Sequence, residues 1–305
     1  VSTDVFILKR IQVVSWFLKQ VQDDKKKEIL VMIGRFYAKL ILMLEAIILG
    51  FIQGIAEWLP ISSQAIIVLV STHFFGDGFF DSVQYALFLH LGTVLAATIY
   101  FWSDIVNLCK KIPSWFSSDN KKDHELTFYM LSTFVSVIIA MILVIIMQKV
   151  GEPSATSIQI TTLIIGMLLL ITAGLQWFSK KRNNTTKTDV NILDSIIAGM
   201  GQGLAALPGI SRSGTTVAFL LLRNVQAKKA LELSFIMSIP FVIIGNISLN
   251  IGSTVWSWSG IIGLLVACLV GLASIHLFLK VVEKINFAWI VLVFGLLVIV
   301  GSFLL

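Results

Sequence analysis

Two stretches decide the fold: Gln53-Gly-Ile-Ala-Glu-Trp-Leu-Pro-Ile-Ser-Ser-Gln-Ala65 and Gln202-Gly-Leu-Ala-Ala-Leu-Pro-Gly-Ile-Ser-Arg-Ser-Gly214. Each interrupts an apolar run that would otherwise read as a membrane span. The first run extends from about 40 to 75 and breaks at 58–63. The second extends from about 192 to 222 and breaks at 207–213. A crossing helix needs about 20 apolar residues, and each half is shorter than that. A helix–turn–helix that enters and leaves on one face fits, with its freed backbone groups lining protein or water rather than lipid.

The rest of the chain sets that reading in a membrane. Hydrophobic residues make up 57%, charged residues 13%, and mean hydropathy is +0.92. A soluble domain averages about 45–50% apolar and about 25% charged, so lipid is the expected solvent. Six further segments read as clean spans: Val83–Trp102, Thr127–Gln148, Ile158–Phe178, Leu233–Ile251, Gly260–Leu279 and Phe287–Leu305. With 103–126 on the cytoplasmic side, nearly all the loop cations share that side, Lys110, Lys111, Lys187, Arg223, Lys228 and Lys229 among them. Lys149, Trp256 and Trp258 fall opposite, as the positive-inside rule requires. The net charge of +6 is explained this way, and no nucleic-acid partner is expected. Cys109 and Cys268 lack metal-ligand spacing and read as small hydrophobes.

The two breaks align without gaps. Gln53 meets Gln202, Gly54 meets Gly203, Ala56 meets Ala205, Ile61 meets Ile210 and Ser62 meets Ser211. Each is followed by three spans, an odd number, so the halves have opposite orientation. The expected fold is an all-α polytopic membrane protein of six transmembrane helices plus two re-entrant helix pairs in an inverted repeat. Such folds place their site near the midplane, where half-helix ends meet. The expected division is a basic amphipathic arm over 1–39, a first repeat over 40–178, a basic cytoplasmic loop over 179–191 and a second repeat over 192–305. Whether the arm folds back or 30–52 crosses the membrane stays open.

Glu57 and Arg212 are the costly residues, since a charge at the bilayer centre costs about 2.5–3.5 kcal/mol on insertion scales. A simple ion pair clamping the halves is one reading. The flanking residues favour an anion site. Ser62 and Ser63 follow Pro60, and Ser211, Arg212 and Ser213 follow Pro208-Gly209, each at the start of an apolar helix. Serine there can cap the helix. Helix N-termini also present free N–H groups to anions, and a guanidinium suits bidentate phosphate binding. Gln53 lies one turn before Glu57, and the carboxylate can serve as a base or as the ligand of a divalent cation such as Mg²⁺ or Ca²⁺. For Thr215, back-bonding within its own helix is the default. His90 reads first as a packed histidine, with a site role as the alternative.

Gly50–Ser63 (GFIQGIAEWLPISS), Leu207–Thr216 (LPGISRSGTT) and Leu89–Ala96 (LHLGTVLA) resemble the signature segments of the BacA-type undecaprenyl-diphosphate phosphatases. The resemblance implies removal of one phosphate from a long-chain polyprenyl diphosphate, recycling the lipid carrier of cell-surface glycan assembly at the plasma membrane, with divalent metal assisting. It implies Glu57 as catalytic glutamate, also the metal ligand, and Arg212 as phosphate-binding arginine. Ser62, Ser63, Ser211 and Ser213, with Gly214 and Thr215, complete the phosphate site, and Gln53, Gln202 and His90 support it. The chain departs from the family at two positions. Gln53 stands where many members carry a second glutamate, and Ile66 stands at a histidine position. That leaves Ser63 or water as the nucleophile and points to a divergent branch, one using a carrier such as a dolichyl chain. A polyprenyl-phosphate flippase is the alternative reading, and a homodimer is allowed.

Overall fold

The computed structural model describes residues 24–115, 123–150, 155–180, 187–253, 255–281 and 287–303. The expected arm before residue 24 and the loop cations of 181–186 lie outside these residues. Among them the chain is helical, with one isolated bridge between Lys187 and Val225. Eleven α-helices follow in order: α1 Asp24–Ala56, α2 Ser63–Val70, α3 Phe79–Tyr100, α4 Trp102–Trp115, α5 His124–Val150, α6 Ala155–Lys180, α7 Ile192–Leu204, α8 Arg212–Leu222, α9 Ala227–Asn250, α10 Trp258–Val281 and α11 Phe287–Ser302. A π-helical turn, Ser71–Phe75, extends α2.

Among the described residues six helices are long and apolar enough to cross a membrane, which makes this a multi-pass membrane protein. The count matches the sequence reading, but the membership does not. Among the described residues, α1 qualifies over Glu28–Ala56, whereas α11, described over 16 residues, is among the shorter apolar helices. The reason lies in α1, a single helix of 33 residues, about 50 Å long at 1.5 Å per residue. It runs without interruption through the expected boundary at 39/40. Under the repeat alignment, α7 matches only residues 43–55 of α1, so α1 is the counterpart of α7 with a long N-terminal extension. Arg35 and Lys39 ride exposed on that extension. A further helix, the amphipathic α4, occupies what reads in sequence as a polar loop.

The helix pairings obey the exchange of halves. Helix α1 packs on α10 as α7 packs on α5, and α2 meets α3 as α8 meets α9. Helices α6 and α11 pair with each other, as do α3 and α9. The residues making these approaches repeat too. A Cβ on Gly50 would stand 2.3 Å from the Gly263 carbonyl oxygen, and one on Gly54 2.7 Å from Val270 Cβ. Their counterparts on α7 behave alike: a Cβ on Gly199 would be 2.7 Å from the Ser132 carbonyl oxygen, and one on Gly203 2.7 Å from Ile139 Cβ. Small residues four apart let backbones approach where lipid supplies no hydrophobic drive. Outward faces are apolar and exposed, as at Leu269 and Leu297.

The base of the α7–α8 hairpin is tied by Asp194. Its carboxylate takes Lys187 Nζ at 2.6 Å and Arg223 Nε at 2.8 Å, and forms a capping box with Asn191. Lys229 pairs with Glu125 and Lys111 with Asp123. These ion pairs gather cations that the positive-inside reading assigns to one side.

Gly54→Ala and Gly203→Ala are each expected to destabilise the protein by about 1–3 kcal/mol, the usual cost of overpacking. Gly174→Ala, with open space around its Cβ, should leave the thermal unfolding midpoint unchanged. Unfolding scans in detergent check all three.

Candidate active site

Both hairpins end at one place. Helix α1 stops at Ala56 and α7 at Leu204, and each gives way to a short irregular turn before the next helix starts. Ser62 precedes α2 and Ser211 precedes α8, so Ser63 and Arg212 occupy the same first helical position in the two repeats. The repeat is therefore symmetric in backbone and asymmetric in chemistry. One half supplies a carboxylate and a hydroxyl, and the other a guanidinium.

The Glu57 carboxylate sits at the centre of this meeting point and is 5% exposed. Its Oε1 accepts from Arg212 Nη2. Its Oε2 accepts from Gln53 Nε2 at 2.8 Å and from Ser63 Oγ at 2.8 Å, with His90 Nε2 at 3.1 Å. Arg212 also donates through Nη1 to the Ser234 carbonyl oxygen at 3.3 Å. The His90 ring is oriented from behind, its Nδ1 lying 2.6 Å from the Ala86 carbonyl oxygen. That contact fits a proton on Nδ1 and turns Nε2 toward Glu57 and toward Ser63 Oγ, 3.4 Å away. Thr93, one turn on, receives Gln53 Nε2 at 3.4 Å.

The two serines before the helices differ. Ser211 Oγ accepts the Gly214 N–H at 3.2 Å and is an ordinary cap. Ser62 has φ 64°, in the left-handed region, makes no capping bond, and its buried Oγ has no protein partner. A non-glycine residue held there costs of order 1–3 kcal/mol, and such residues cluster at functional sites.

A cavity of about 310 Å³ opens above this centre. Its polar end is formed by Glu57, Ser62, Ser63, His90, Arg212 and Ser213. Its walls are apolar, drawn from α3, α5 and α9. Met141, Ile145 and Ile244 line it and are exposed, so the cavity opens to the surface between α5 and α9.

The structure brings together Glu57, Ser62, Ser63, Arg212, Ser213 and His90, with Gln53 behind Glu57. Ser211 also lines the cavity, but its hydroxyl is engaged in the cap. Two predicted residues stand apart. Gln202 is fully buried and donates to Ser136 Oγ and the Met237 carbonyl, so it holds α7 against α5 and α9. Thr215 Oγ1 donates to the carbonyls of Gly201 and Ser211, so its hydroxyl joins the hairpin arms instead of facing the cavity. Gly214 gives space, since a Cβ there would meet Gln176 Nε2 at 2.6 Å. Sequence reasoning missed Gln176 and Thr172 of α6. Their signal, two polar residues one turn apart in an apolar span, is common in packed helices.

A cation site made by the protein alone does not fit these residues. One carboxylate is present, both its oxygens already take donors, and no group of three His, Cys, Asp or Glu side chains occurs among the described residues. Mg²⁺ or Ca²⁺ here would need substrate phosphate oxygens as its main ligands.

Residues 46–298 match the family described as Bacitracin resistance protein BacA. The chain belongs to the BacA family. Among similar members, "Undecaprenyl-diphosphatase" of Methanococcoides burtonii is 39% identical over 264 residues, covering 85% of this chain and 98% of that protein. Proteins of the same description from Haloarcula marismortui and Saccharolobus solfataricus are 31% and 32% identical, covering 86% of this chain in each case and 98% and 96% of their own lengths. In this BacA-family chain the matched region begins within α1 and takes in both breaks, while most of the N-terminal extension lies outside it.

Removing Arg212 alone takes the guanidinium away from a buried carboxylate, at a cost of about 3–5 kcal/mol. Arg212→Met should therefore lower thermal stability more than the double variant Glu57→Gln/Arg212→Met. Unfolding midpoints of the two single variants and the double variant measure this coupling.

Proposed function

We propose that the protein hydrolyses a long-chain polyprenyl diphosphate to the monophosphate and inorganic phosphate, within the plasma membrane. The observation that carries this reading is the buried Glu57–Arg212 pair, with the Ser63 hydroxyl on the same carboxylate, at the polar end of an apolar cavity. The relatives are named as diphosphatases, which supports hydrolysis over lipid transport.

The headgroup occupies the polar end and the prenyl chain leaves between α5 and α9. Arg212 exchanges Glu57 for the terminal phosphate, since a guanidinium accepts either anion in the same bidentate geometry. The first-turn N–H groups of α2 and α8 and the unpartnered Ser62 hydroxyl supply further donors. Releasing Arg212 frees Glu57 to act as base. Ser63 Oγ attacks the terminal phosphorus as its proton passes to Glu57 Oε2, and the bond to the bridging oxygen breaks. Polyprenyl monophosphate leaves and Ser63 carries the phosphoryl group. Water then attacks that phosphorus and gives its proton to His90 Nε2, the Ser63–phosphorus bond breaks as Ser63 Oγ takes back the proton held on Glu57 Oε2, and inorganic phosphate leaves with the proton that His90 gives up. His90, held on the Ala86 carbonyl, offers an imidazole where Ile66 offers none. Charge neutralisation by preorganised donors provides most of the acceleration, as in other phosphoryl transfers.

In a phosphate-release assay on undecaprenyl diphosphate and shorter prenyl diphosphates, Glu57→Gln, Arg212→Ala and Ser63→Ala should each lose at least about 10³-fold in turnover while remaining folded. Near-normal turnover in any of them removes its role. The charge-swapped variant Glu57→Arg/Arg212→Glu should be inactive; if it works, the pair is only a clamp. A phosphoserine at Ser63, trapped by acid quench and located by mass spectrometry, distinguishes serine attack from direct attack by water.

A further inference from the structure

One face of α6 touches both breaks. Gln176 Nε2 donates to the Pro60 carbonyl oxygen at 2.7 Å, in the turn between Glu57 and Ser63. One helical turn earlier, Thr172 Oγ1 donates to the Gly209 carbonyl oxygen at 3.2 Å and accepts the Ser211 N–H at 3.4 Å, in the turn before Arg212. The backbone of the second break lies directly on the same face. Gly209 has φ 106°, and a Cβ there would stand 2.7 Å from the Ile165 carbonyl oxygen and 2.9 Å from Leu168 Cβ. Gly214, two residues after Arg212, faces the Gln176 amide itself.

We propose that Gln176, acting with Thr172, is a positioning residue: α6 is the common rail that fixes the register of Glu57 and Ser63 against Arg212. The inference rests on the site assignment above and adds a residue that touches neither substrate nor reacting atoms. Irregular backbone inside a membrane protein needs internal partners for its freed polar groups. Most such partners satisfy a single turn. Here consecutive turns of one helix satisfy two turns from opposite repeats, which nothing else in the described hydrogen bonding does. The pairing of repeats does not supply this rail twice. Gly166 of α6 and Gly295 of α11 face each other across the repeat. Among the described hydrogen bonds, the side chains of α11 contribute Ser302 Oγ to the Ile299 carbonyl oxygen, within their own helix, and none to either break, so the polar edge belongs to α6.

A register error is felt strongly in such a site, since misplacing reacting groups by about 1 Å can cost about 10²-fold. The test uses purified full-length protein. Gln176→Met keeps length and packing but loses the donor, and is expected to lower kcat about 10²-fold with KM and the unfolding midpoint close to wild type. Gln176→Glu can donate to the Pro60 carbonyl only when its carboxyl is protonated. Its kcat relative to wild type should therefore rise as pH falls from 8 to 5, a change a purely structural role would not produce. Wild-type kcat in Gln176→Met overturns the proposal, as does a loss of activity matched by the fraction unfolded, or a flat pH ratio in Gln176→Glu. Glu57→Gln and Arg212→Ala run alongside. If they are inactive while Gln176→Met is normal, only this inference falls; if they are active, the site assignment falls first.

Discussion

A carboxylate and a guanidinium, each too costly to leave alone inside a membrane, are brought together by two hairpins from opposite repeats. Most of the architecture can be read as the means of making that contact. A helix running on past Ala56 would carry the chain away from this contact; α1 stops there, and the turn through Pro60 brings Ser63 back to the same carboxylate. The second hairpin does the same for Arg212. The tight glycine contacts of α1 on α10 and of α7 on α5 then set how deep each hairpin sits.

Duplication alone would give a symmetric site, and this one is not symmetric. Alignment of the repeats sets Glu57 opposite Ala206 and Ser63 opposite Arg212. Each half has the backbone that presents a helix N-terminus to an anion, and each lacks what the other supplies. The divergence turns two similar cradles into one site with a base, a nucleophile and a cation. The two serines before the helices follow suit: Ser211 caps its helix, while Ser62 holds a strained backbone and leaves its hydroxyl unpartnered.

Much of this was legible in the sequence, because membrane patterning is coarse and polar interruptions stand out. The breaks, the repeat and the meeting of Glu57 with Arg212 follow from apolar run length and the cost of intramembrane charge. The rest depends on distances that sequence does not carry. Periodicity cannot show that α1 continues unbroken from Asp24, since a run that carries Arg35 and Lys39 fits a folded-back arm as well as a crossing helix, and the structure places both as side chains on an exposed extension. Gln202 matches Gln53 letter for letter, but its amide turns to Ser136 and Met237, away from the site. His90 stands in a segment that carries the family resemblance, but its own pattern is that of a lone histidine in a span. Only the fold of α3 against the first hairpin brings its Nε2 to Glu57. Gln176 and Thr172 are silent for the same reason, since their partners are backbone carbonyls far away in the chain.

The central claim is that the two breaks form one diphosphate site. The most direct test is equilibrium binding of a non-hydrolysable prenyl methylenediphosphonate to the purified protein. Arg212→Ala should weaken binding at least about tenfold, the scale of hydrogen bonds to a charged group, while Ser63→Ala binds within a few-fold of wild type. Wild-type affinity in Arg212→Ala would contradict the account and leave the ion pair as a clamp between two halves of a membrane fold.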